Sequence, residues 1–100
     1  MTTGQRAARF SVEGWVHYRF MPDATWLKGA MVNISQSGVL FAAEQQIIPG
    51  ADLELKLELA SPLHATAHVV RALPSDHGWL IGARFEELRF FGSGLMPSLS

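Results

Sequence analysis

Leu53, Leu55, Leu57 and Leu59 alternate with Asp52, Glu54, Lys56 and Glu58, and this period of two is the strongest constraint on how the chain can fold. Wound as a helix, the segment would scatter its leucines around the whole circumference. An extended strand gathers all four on one face. The period therefore overrides the intrinsic helical preference of Leu, Glu and Lys. The same alternation recurs upstream, where Phe10, Val12, Val16, Tyr18 and Phe20 alternate with Ser11, Glu13, His17 and Arg19. It recurs downstream in Leu63, Ala65, Ala67 and Val69, and again in Trp79, Ile81, Ala83 and Phe85.

Turn-forming residues separate these runs at Met21-Pro22-Asp23, Pro49-Gly50 and Pro74-Ser75-Asp76-His77-Gly78. With Trp26 through Ile34 and Val39 through Ala43 as further extended runs, the pattern predicts six strands. Six short strands with almost no helix between them imply an all-β antiparallel barrel or sandwich. Residues Glu86 to Phe91 are expected to form at most one or two helical turns, stopped by Gly92, Gly94 and Pro97.

One hundred residues correspond to a single domain, 1–100, with residues 1–9 as a flexible lead-in and 92–100 as a frayed tail. Lys plus Arg number 8 and Asp plus Glu 9, so the net charge is 8 − 9 = −1, which gives no global field to attract DNA or RNA. The absence of Cys removes disulfides, thiolate metal sites and a Cys nucleophile together. No apolar run approaches the roughly 20 residues of a membrane helix, and the N-terminus lacks a signal-peptide core, so the expectation is a cytoplasmic domain without membrane insertion.

Chemistry is concentrated in Met31-Val32-Asn33-Ile34-Ser35-Gln36-Ser37-Gly38-Val39-Leu40-Phe41, two strand-like runs joined by a polar turn. On an extended chain Asn33 and Ser35 share a face. Gly38 admits backbone angles closed to other residues and lets a second group approach the chain. Upstream stand Arg6 and Arg9, which suit a ligand with anionic and planar parts: a guanidinium forks onto phosphate, stacks on a flat ring and addresses O6 and N7 of guanine.

Other candidates carry less. His64 and His68 share a strand face roughly 13 Å apart, too far for one metal ion unless the strand bends, and with no Cys and no carboxylate beside them they are expected to be exposed strand histidines and not a metal site. Ser75, Asp76 and His77 are neighbours in a loop and do not converge as a catalytic relay. Glu86-Glu87 lacks an acid–base partner, so no catalytic residue is assigned. Trp15 falls on the face opposite Phe10, Val12 and Val16, toward solvent.

Arg6 and Arg9, the 24-residue interval from Arg9 to Asn33, and Asn33-x-Ser35-x-x-Gly38 together resemble the PilZ domain. The signature of that family is RxxxR, then roughly 20–30 residues, then [D/N]xSxxG. Val69-Val70-Arg71 and Ile81-Gly82-Ala83-Arg84-Phe85 also resemble its last two strands. The resemblance implies a six-stranded β-barrel that binds the bacterial second messenger cyclic di-GMP, performs no chemistry and needs no cofactor. It implies nucleotide contacts from Arg6, Arg9, Asn33, Ser35 and Gly38, with residues 1–9 as the ligand-binding segment. Ligand would order that segment and change the surface shown to an unidentified protein partner. The chain departs from the family where Gln5, not arginine, stands four residues before Arg9. Losing one such contact of roughly 1–3 kcal/mol weakens binding by about 5- to 150-fold. Two readings therefore stand: a cyclic di-GMP receptor module, or a degenerate PilZ domain that binds no nucleotide and serves as a protein-interaction adaptor of the pilus or motility type.

Overall fold

A computed structural model of the chain describes residues 10–11, 13–21 and 25–90. Seven strands appear in chain order: β1 (Phe10–Ser11), β2 (Trp15–Phe20), β3 (Leu27–Ile34), β4 (Gly38–Ala43), β5 (Asp52–Leu57), β6 (Leu63–Ser75) and β7 (Gly78–Phe90). Every pairing is antiparallel, in the order β1-β3-β2-β5-β6-β7-β4, and a further β3–β4 pairing closes the six long strands into a barrel. Closure leaves none of the six with a free edge along its whole length.

The short β1 completes the ladder rather than adding a seventh stave. β2 covers β3 only from Leu27 to Ala30, and β1 takes over with Ser11 opposite Asn33 and Phe10 opposite Ile34. Between them the Met31 N–H donates to the Gly14 carbonyl at 3.0 Å. The run expected as one strand from Phe10 to Phe20 is thus two strands lying along the same neighbour.

The alternating residues meet in one core. Val16 and Tyr18 from β2, Leu53, Leu55 and Leu57 from β5, and Ala65, Ala67 and Val69 from β6 are all buried. Phe41, Ile47 and Ile81 fill the remaining volume, and the Tyr18 and Phe41 rings pack with centroids 5.2 Å apart. The small Ala65, Ala67 and Ala83 on β6 and β7 share this core with the larger side chains of β2, β4 and β5, the mix of sizes that a small barrel interior takes.

The helical turn expected over Glu86–Phe91 is not formed; β7 continues as strand to Phe90, with Phe91 outside the described residues. β6 begins at Leu63, and without a partner its first residues would leave peptide groups unpaired along an edge. Glu87 to Phe90 supply that partner, opposite Thr66 to Leu63. Tertiary pairing here overrides a local preference. Among the described residues no helix is long and apolar enough to cross a membrane.

Candidate functional site

The turn joining β3 to β4 is held by its own polar groups. Ser35 N–H donates to the Gly38 carbonyl at 2.9 Å, and Ser37 N–H donates to Ser35 Oγ at 3.2 Å. The two hydroxyls, Ser35 Oγ and Ser37 Oγ, lie 3.2 Å apart. Phe85 N–H donates to the Ser37 carbonyl at 2.8 Å, which fastens the turn to β7. Gly38 meets its requirement through proximity and not through an unusual backbone angle: a Cβ there would collide with the Ala83 carbonyl oxygen.

Strict alternation would have buried Asn33. Met31 faces the core, so Asn33, two residues on, should face it too. A β-bulge at Val32 breaks the register: Met31 pairs with Phe41 but Asn33 pairs with Leu40. Ile34 then packs against the core and Asn33 faces the surface hollow beside Ser35. A second bulge, at Val70, does the same for Arg71. Val69 is buried opposite Ala83, Arg71 pairs with Gly82, and Ala72 resumes the inward parity. Both re-aimed side chains open onto one hollow.

That hollow is lined by Asn33, Ser35, Ser37 and Gly38 on one side and by Val70, Arg71, Ala83 and Arg84 on the other. Arg71 lies across Gly82, where an added Cβ would come within 3.2 Å of the Arg71 Cγ and 3.3 Å of its Nε. Two exposed guanidinium groups therefore flank a polar turn, an arrangement suited to an anionic ligand with hydrogen-bonding edges. Asn33, Ser35 and Gly38 come together as the spacing predicted. Arg6 and Arg9 lie outside the described residues. Arg71 and Arg84 were not singled out as site residues, although both stand in the segments that resemble the last two PilZ strands. Nothing in the sequence showed that a bulge would turn Arg71 outward.

The outer face of β2, β5 and β6 carries a second polar array. His17 pairs with Glu58 at 2.5 Å, His64 with Glu54 at 2.7 Å and His68 with Asp52 at 3.0 Å. The expectation that no carboxylate stands beside His64 or His68 is corrected: the carboxylates come from β5, more than ten positions away in sequence for His68 and ten for His64. Arg19 also binds Glu54 at 2.7 Å. Burial alone would raise the Glu54 carboxyl, but hydrogen bonds and charge from Arg19 and His64 outweigh it and hold the carboxyl below the usual glutamate range. Trp15 is 45% exposed with the Lys28 ammonium 4.2 Å from its ring centroid, as its outward face predicted.

The PilZ domain family matches residues 5–90 of the chain. No curated protein matches. Among solved structures the fold is similar to that of the inhibitor of motility (MotI/DgrA) of Bacillus subtilis, with a TM-score of 0.76 and 14% identity. The likeness covers 88% of this chain and 45% of that one, so the chain spans less than half of that protein's length. At this identity the likeness is one of fold.

Proposed function

The chain belongs to the PilZ domain family, a family of binding and receptor modules, and on that premise we propose that it is a cyclic di-GMP receptor. The observation that carries this reading is the convergence of Asn33, Ser35, Arg71 and Arg84 on one hollow, two of them, Asn33 and Arg71, turned there by bulges. Asn and Ser offer uncharged hydrogen bonds to guanine edges, and the guanidinium groups neutralise phosphate or stack on the base. Ser35 braces the turn with its hydroxyl and still has acceptor capacity for a ligand.

The pairing of Phe10 with Ile34 supports a role for the arginines upstream. Ile34 stands between Asn33 and Ser35, and Arg9 is joined to Phe10 by a single peptide bond, about 3.8 Å between α-carbons. Arg6 is three residues further, within roughly 10 Å more of extended chain. Bound nucleotide would gather Arg6 and Arg9 onto the Asn33–Gly38 turn and alter the surface offered to a protein partner. Arg71 or Arg84 would take up the charge that Gln5 does not supply.

Gln5 is also the observation that favours the second reading, an adaptor that binds protein and no nucleotide. Calorimetric titration of cyclic di-GMP into the wild-type chain and Arg9→Ala separates the two. Micromolar or tighter binding that Arg9→Ala abolishes supports the receptor. Absence of heat from a demonstrably folded chain supports the adaptor.

A further inference from the structure

Asp52 on β5, His68 on β6 and Glu86 on β7 bring one donor atom each to a single point on the outer wall of the barrel. The three atoms all lie within 4.8 Å of one another, and His68 Nδ1 and Asp52 Oδ1 are 3.0 Å apart. We propose that these residues form a site for one late first-row divalent cation, with Zn²⁺ as its representative.

The arrangement is set by pairing. Asp52 and His68 are direct cross-strand partners. On β7 a bulge leaves Glu86 as the extra residue, since Phe85 pairs with Ala67 and Glu87 with Thr66. Phe85 packs against the core, so the residue after it turns outward, next to His68 and Asp52. Strict alternation alone would not set Glu86 and Glu87 on the outer face together.

The donor set selects the ion. An imidazole nitrogen with two carboxylate oxygens suits zinc and its neighbours, whereas Ca²⁺ and Mg²⁺ prefer oxygen alone. Zinc ligands stand about 2.0–2.2 Å from the ion, which places tetrahedral donors roughly 3.3–3.5 Å from each other. Asp52 and His68 are already near that spacing. Glu86, exposed and on a flexible stem, closes the remainder by a side-chain rotation. Three protein donors leave a fourth position for water.

Local charge points the same way. Among the described residues neither Asp52 nor Glu86 is paired with a lysine or arginine, and the one partner of either carboxylate is the His68 ring itself. The neighbouring pair of His64 and Glu54 differs, because Arg19 already neutralises Glu54. In the ion-free protein the hydrogen bond between His68 and Asp52 runs from Nδ1–H to the carboxylate; the cation would replace that proton, which moves to Nε2 or to solvent. The next residue along this cross-strand row is Arg84, opposite His68, which lines the candidate nucleotide hollow. The proposal does not depend on nucleotide binding.

Zinc chloride is titrated into the untagged full chain at neutral pH without nucleotide, by calorimetry and by the long-range ¹⁵N shifts of the histidine rings. The expected result is one ion per chain, a shift at His68 Nδ1, and binding weakened by about 10- to 100-fold or more in His68→Ala and Glu86→Gln. His17→Ala and His64→Ala should bind as the wild type does. Glu86→Gln is isosteric and exposed, so it carries the test should His68→Ala fail to fold. Absence of binding, or binding unchanged in folded His68→Ala or Glu86→Gln, overturns the proposal.

Discussion

Gly38 and the Ala83 carbonyl are in backbone contact across the β4–β7 seam, closer than any side chain on Gly38 would permit. Gly38 also pairs with Arg84, so this contact begins the β4–β7 ladder beside the candidate site. Gly38→Ala should force the two strands apart and cost about 1–3 kcal/mol. For a domain of this size that is roughly 4–8 °C of Tm per kcal/mol. An unchanged Tm in thermal unfolding would mean that the seam yields more easily than its geometry implies.

Gly82 sets a contrasting case. There an added Cβ meets the Arg71 side chain, which can swing away, and no backbone atom. Gly82→Ala should therefore leave Tm close to wild type and yet displace Arg71 from the hollow. If cyclic di-GMP binds as proposed, Gly82→Ala and Arg71→Ala should each weaken it by about 5- to 150-fold. Full affinity in both variants would remove Arg71 from the ligand contacts.

The Arg19–Glu54–His64 cluster makes stability depend on acidity in a definite direction. Glu54 titrates below its ordinary value of 4.5 in the folded chain, where hydrogen bonds and charge from Arg19 and His64 exceed the effect of burial. A carboxyl lowered by folding stabilises fully above its unfolded value and loses that contribution as pH falls through the folded one. Glu54→Gln should cost about 1 kcal/mol at neutral pH, water at the strand face keeping it small. The gap between the two Tm curves should close below pH 4.5; a gap independent of pH down to acid unfolding would show the charge to be irrelevant.

Tyr18 is the only tyrosine in the chain, so its ionisation can be followed by absorbance alone. Burial, and secondarily the charge of Glu44, push its hydroxyl above the usual value of 10.0. Tyrosinate should therefore appear late in an alkaline titration, together with unfolding. Among the described residues nothing pairs with that hydroxyl, and an unpaired buried hydroxyl costs about 1–3 kcal/mol. Tyr18→Phe should accordingly match or exceed the wild-type Tm; a clear loss of stability would reveal a hydrogen bond to the hydroxyl.

The alternation of apolar residues determined which side chains form the core, because in an extended chain parity alone assigns a face. Leu53, Leu55 and Leu57, or Ala65, Ala67 and Val69, were legible without any partner strand. The spacing of Asn33, Ser35 and Gly38 likewise identified the turn and the family, since those residues act within a few positions of one another. Tertiary structure alone decided where parity breaks. The bulges at Val32, Val70 and Glu86 arise from the register that each strand must keep with its neighbours, and no local propensity encodes them. Those at Val32 and Val70 turn Asn33 and Arg71 into one hollow, and the pairing of β5, β6 and β7 brings Glu86 near His68. Pairing across the barrel also brought Asp52 to His68 and continued β7 to Phe90 where local residues favoured a helical turn. Sequence determined the faces; register decided which polar groups meet, because that depends on residues far apart along the chain.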